Sequence, residues 1–131
     1  MKDLGLLVFR ILLVALFPIS AYYKITGWPM IATMLDKAGA PFPTYVAGLG
    51  TGVELVFPFF VILGLWTRPA AAGLIVYTLA ATYIGHPIWK VAPDAYFLQL
   101  MSFLKNISII GGLIGLMAVG PGRIALQPDR D

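Results

Sequence analysis

Hydrophobic and polar positions along the chain alternate between long apolar blocks and short polar breaks. Four blocks run over about residues 4–23, 45–66, 70–86 and 97–119. Each is close to the ~20 residues that carry a helix across a 30 Å hydrocarbon core. The pattern predicts four membrane-spanning helices. Thr67-Arg68-Pro69 is the whole polar link between the second and third blocks, so these two are expected to form an antiparallel hairpin. Gly120-Pro121-Gly122 breaks the fourth helix before a polar tail.

Between the first two blocks the period changes. After Trp28-Pro29, the apolar residues Met30, Ile31, Met34, Leu35 and Ala38 recur at helical spacing opposite Thr33, Asp36 and Lys37, with Gly39 as a stop. This predicts a short helix lying in the membrane interface. Pro18 and Pro58 fall inside spans one and two, where each frees a carbonyl one turn earlier. Gly48 and Gly52 in span two, Gly111 and Gly115 in span four, and Ala70 to Gly73 at the start of span three are read as sites where helices approach closely.

Composition agrees with this class. Of the 131 residues, 60% are hydrophobic and 11% charged, and mean hydropathy is +0.88. A soluble domain carries about 25% charged residues. The expected fold is an all-α integral membrane four-helix bundle, a single domain over residues 1–131, with a short interfacial helix between spans one and two. Lys2 followed by an apolar run and Ser20-Ala21 has the outline of a secretory signal. Arg10 interrupts that run, and the first span is expected to be uncleaved.

Charge narrows the function. A net charge of +3 on scattered basic residues makes nucleic acid a poor partner. The absence of cysteine excludes disulfides, thiol relays and thiolate metal sites on this chain, and a single histidine cannot form a bis-histidine haem site. No metal site is expected. Gly48-Leu49-Gly50-Thr51-Gly52 lacks the lysine and the strand context of a phosphate loop. All four arginines fall on the side shared by the termini and the Arg68 loop, so the positive-inside rule points to cytoplasmic termini.

Ionisable residues inside the spans are the best functional clue. A charge there costs at least ~2.5–3.5 kcal/mol and usually faces a partner or a polar cavity. At a rise of 1.5 Å per residue from the terminal side, Glu54 lies at roughly 18 Å, Lys105 near 21 Å, His86 near 24 Å and Arg10 near 9 Å. Glu54 and Lys105 are level and are expected to pair. Lys24, at roughly 30 Å by the same count, sits at the outer boundary. Together with Tyr83, Ser102 and Asn106 these residues outline a buried polar pocket: Glu54, Lys105, His86, Asn106, Tyr83 and Lys24. Arg10 is a secondary charge that snorkels or answers carbonyls at a span end, with a partner role toward Glu54 as the lesser alternative. A Glu–Lys pair that only locks helix register, and a histidine that only caps a helix end, are the structural alternatives.

Lys24 with Gly27, Gly39 with Pro41 and Pro43, Glu54, Gly64 and Arg68, His86-Pro87, Phe103-Leu104-Lys105-Asn106, Gly111-Gly112 and Gly120-Pro121-Gly122-Arg123 resemble the successive landmarks of the DoxX family. The resemblance covers nearly the whole chain. It implies a four-helix protein of a bacterial or archaeal plasma membrane. It also implies association with quinone-linked oxidoreductases and oxidant defence, since the family takes its name from a subunit found with a terminal quinol oxidase and a thiosulfate:quinone oxidoreductase. The family carries no agreed catalytic residues, so the pocket rests on depth and chemistry alone. Three functions are open: a redox-linked subunit that binds a quinone or another lipophile, a scaffold for partner enzymes or further copies of itself, and a small transporter. Membrane lipids are the expected surroundings, and no covalently bound cofactor is expected.

Overall fold

The computed structural model describes residues 1–37, 39, 41–85 and 88–128. Six helices follow one another among them: α1 Lys2–Val14, α2 Leu16–Thr26, α3 Trp28–Lys37, α4 Pro43–Leu63, α5 Thr67–Gly85 and α6 Tyr96–Val119. The first predicted span is α1 and α2 in line, broken at Ala15. Pro18 has no N–H to give to the carbonyl of Val14, and this is the turn at which the helix gives way. α3 is the predicted connector helix, and Gly39 follows it at φ +83° as the predicted stop.

The hairpin between α4 and α5 turns three residues earlier than the sequence pattern indicates. Gly64 takes the left-handed conformation and donates to Val61, while Leu65 donates to Phe60, which closes α4 as a Schellman motif. Thr67-Arg68-Pro69 then forms the first turn of α5 instead of the link. Proline is tolerated there because the N–H it lacks would be an unpaired one.

The exterior is far more apolar than a soluble protein's, and the interior admits polar and charged groups beside its apolar core. Arg10, Thr51, Glu54, Thr67, Thr78 and Thr82 are buried, whereas Leu12, Leu49, Val76 and Leu98 are each more than two-thirds exposed. Such an apolar exterior is stable only against lipid. The helices Lys2–Thr26, Pro43–Leu63 and Tyr96–Val119 are each long and apolar enough to cross a membrane. α5 is less apolar because it carries Arg68 and three buried threonines, and it packs against both α4 and α6. Its inward stripe is Thr67, Ala70, Ala71, Leu74, Thr78 and Thr82. Val14, Phe17, Val61, Leu74, Leu113 and Leu116 form the apolar core.

Close helix approach occurs at glycines other than those the four-residue spacing singles out. A Cβ at Gly73 would fall on the Phe57 ring, one at Gly112 would lie 2.8 Å from Leu13, and one at Gly50 would lie 3.0 Å from the Tyr77 ring. Gly52, Gly111 and Gly115 have nothing within 4 Å of that position, and Gly48 has only Trp28 at 3.9 Å. The paired glycines of α6 lie away from the other helices because its buried stripe runs through Ile109, Ile110, Leu113 and Leu116.

The segment after α6 folds back across the end of the bundle that holds Met1 and the α4–α5 turn. Leu126 and Gln127 donate to the carbonyls of Leu63 and Gly64 at 2.9 and 3.0 Å, and the Gln127 side chain accepts from the backbone N–H of Trp66 at 2.8 Å. These bonds satisfy carbonyls that the end of α4 leaves open.

Candidate functional site

Glu54 is 1% exposed on the inward face of α4. Its Oε1 accepts from the Lys24 ammonium and from the Tyr77 hydroxyl. Lys24 Nζ also donates to Tyr77 Oη at 2.6 Å, so the three groups close a ring. The Lys24 side chain keeps 27% of its surface and the Glu54 side chain 2%. The carboxylate is therefore sealed and the ammonium stands at the mouth of the site.

Each element contributes for a local reason. Pro58 cannot donate to the carbonyl of Glu54, which opens the α4 ladder at the site. Gly50 makes room for the Tyr77 ring, which also meets Phe17 edge-on at 6.2 Å. The Lys24 ammonium lies 5.4 Å from the centre of the same ring, within cation–π range. Lys24 reaches Glu54 because helical side chains lean toward the N-terminus of their own helix. On the antiparallel α2 and α4 these leanings converge, so two residues about 12 Å apart in depth by rise alone meet at their tips.

The expected Glu54–Lys105 pair does not form: Lys24 holds the carboxylate, and Lys105 is exposed on α6. α4 and α6 run parallel, so their side chains lean the same way instead of toward each other. The inward position on α6 belongs to the next residue, Asn106, whose Nδ2 donates to Thr82 Oγ1 at 2.9 Å. Thr82 passes its own hydroxyl proton to the carbonyl of Thr78. Tyr83 is exposed, with its ring centre 5.6 Å from that of Trp89. His86 lies outside the described residues. Of the predicted pocket, then, Glu54 and Lys24 come together, Asn106 bonds within α5 and α6, and Lys105 and Tyr83 face outward.

Tyr77 is the member that sequence reasoning missed. It sits at roughly 14 Å by the same depth count from Arg68, within a turn of Glu54. Among apolar neighbours it reads as one more core aromatic. The signal was its hydroxyl, which seeks a partner when buried.

Arg10 answers carbonyls and does not snorkel. It is 1% exposed. Nε donates to Val61 at 3.0 Å, Nη2 to Ile62 and Ile124 at 2.9 Å each, and Nη1 to Pro121. The cation thus sits on the negative end of α4 and ties the returning tail to it.

Chemically, the Glu54 site is a neutral ring of one acid, one base and one phenol. It can hold or exchange a proton inside hydrocarbon. Lys24 has three N–H groups, of which Glu54 and Tyr77 take two. One donor is left for a further group.

Comparison with known proteins places the chain. A DoxX family model matches residues 5–87. The inner membrane protein YphA of Escherichia coli (strain K12) is 36% identical over 122 residues, covering 93% of this chain and 87% of that protein. The inner membrane protein YqjF of the same strain is 28% identical over 127 residues, covering 97% and 92%. The membrane protein Rv3486 of Mycobacterium tuberculosis (strain ATCC 25618 / H37Rv) is 30% identical over 97 residues, covering 70% and 60%. No solved structure matches. A matching family model over more than half the chain, and a relative matching nearly end to end, give one conclusion: this membrane protein belongs to the DoxX family.

Proposed function

We propose that the protein is a four-span subunit of a plasma-membrane redox system, with cytoplasmic termini, and that the Lys24–Glu54–Tyr77 ring binds the head of a quinone or a comparable lipophile. The observation that carries the reading is the sealed Glu54 carboxylate beside a half-exposed Lys24 that has a donor to spare. Lys24 hydrogen-bonds a ligand carbonyl, and Glu54 with Tyr77 moves protons to and from it. Electrons come from a partner oxidoreductase. Four spans follow from setting α5 beside the three helices already apolar enough to cross.

Native mass spectrometry of the gently solubilised protein tests this reading. The expected result is a retained quinone-type lipophile that is lost in Glu54→Gln and Lys24→Met while the helical content stays. Finding no lipophile, together with no binding of added decylubiquinone, rejects it. The same spectrum addresses a second reading, a scaffold for partner proteins, which Lys105 favours: this cation is exposed within a membrane helix. A stoichiometric protein partner on an otherwise bare chain makes the protein a scaffold.

A further inference from the structure

Thr51 is 6% exposed, and its hydroxyl has no hydrogen-bond partner among the described residues. A helical threonine ordinarily bonds back to the carbonyl one turn earlier. Thr78 does so to Leu74 at 2.7 Å, and Thr82 to Thr78 at 2.6 Å. Thr51 makes no such bond, so a buried polar group lacks a counterpart, and native interiors rarely leave one so.

Its place in the fold shows where the counterpart belongs. Thr51 is one turn before Glu54 on the same buried face of α4, nearer the end of α4 where Gly48 lies under Trp28 at the start of α3. Lys24 enters from that side too, out of the last turn of α2, with its third N–H unused by Glu54 and Tyr77. The helix surface around Thr51 carries little: a Cβ at Gly52 would meet nothing within 4 Å, and one at Gly48 only the Trp28 indole. Both donors therefore belong to the part of the bundle where α4 presents a strip of bare backbone next to an aromatic side chain.

Charge defines the class of occupant. Lys24 and Glu54 cancel, so an ionic ligand would add net charge to a site in hydrocarbon. A neutral acceptor adds none. We infer that Thr51 and the spare N–H of Lys24 seat the carbonyl oxygen of a neutral lipophile whose body lies along the glycine face of α4 beneath Trp28. The inference rests on the proposed ligand-binding role of the Glu54 ring and names the residue and the chemical group that decide what binds.

The test uses the full chain with 2-undecanone as carbonyl probe, undecane as its hydrocarbon match and decylubiquinone as redox probe. Binding is read by native mass spectrometry and the ketone C=O stretch by infrared spectroscopy. The ketone should bind in preference to undecane with a lowered C=O frequency. Thr51→Val should weaken it about tenfold, the scale of one hydrogen bond, and Thr51→Ser should restore it. Thr51→Val removes an unpaired hydroxyl, so its melting temperature should match or exceed the wild type and loss of fold will not imitate loss of binding. Equal affinity of Thr51→Val and wild type, equal binding of undecane and ketone, or no ketone binding at all overturns the seat. Thr51-dependent ketone binding without quinone binding keeps the seat and rejects the redox reading. Glu54-dependent quinone binding indifferent to Thr51 does the opposite.

Discussion

Removing one member of a buried ion pair strands the other. Lys24→Met leaves the Glu54 carboxylate sealed without its cation, a loss on the order of 3–5 kcal/mol. Lys24→Met combined with Glu54→Gln should recover most of it, because no charge then remains uncompensated. Lys105→Met should be nearly silent in the same thermal melt, since that residue is exposed and pairs with no carboxylate among the described residues. A melt in which Lys105→Met costs as much as Lys24→Met would reverse the assignment of partner. At this scale the sequence was half legible. Depth counting located Glu54 as a residue that must have company, but it compared backbone heights and not side-chain directions. It chose the level lysine on a parallel helix over the higher one on an antiparallel helix.

The helices owe their packing to Gly50, Gly73 and Gly112; the run of small residues Ala70 to Gly73 pointed to the second of these, and the four-residue glycine spacing pointed to none. Gly73→Ala drives a methyl into Phe57 and should cost about 1–3 kcal/mol by overpacking. Gly111→Ala and Gly115→Ala face open space and should be neutral or up to ~1 kcal/mol stabilising through helix propensity. Thermal unfolding of the three variants in one detergent distinguishes these outcomes. Helix existence was legible in the sequence because apolar length and proline and glycine stops dictate it. The α4–α5 turn was misplaced by three residues because Arg68 and Pro69 look like a loop. A first helical turn accepts both. Which glycine meets which side chain was not legible, since that depends on the rotation of each helix about its axis.

For the molecule as a whole, the proposed sidedness rests on where the arginines lie. A chain with no cysteine suits single-cysteine labelling. Arg123→Cys reports the end that holds the termini, and Asp94→Cys the loop before α6. With cytoplasmic termini, a membrane-impermeant maleimide applied to intact cells should label Asp94→Cys and spare Arg123→Cys until the membrane is opened. The reverse pattern would turn the bundle over without altering a contact inside it. The arginine bias was legible from sequence, and the closure of this end by the returning tail was not. Val61, Ile62, Pro121 and Ile124 offer backbone carbonyls to Arg10, and carbonyls leave no mark in a sequence.

That closure sets an order on biosynthesis. Two of the four acceptors of Arg10, Pro121 and Ile124, are made 111 and 114 residues after it. At about 5–20 residues per second the wait is roughly 6–23 s. Throughout it the first helix must be held at the membrane with a guanidinium still seeking carbonyls, and only Pro121 and Ile124 complete its set. A nascent chain halted before Gly120 should therefore be a good substrate for membrane proteases, and docking of residues 121–127, not insertion of any one helix, should be the step at which the protein becomes resistant.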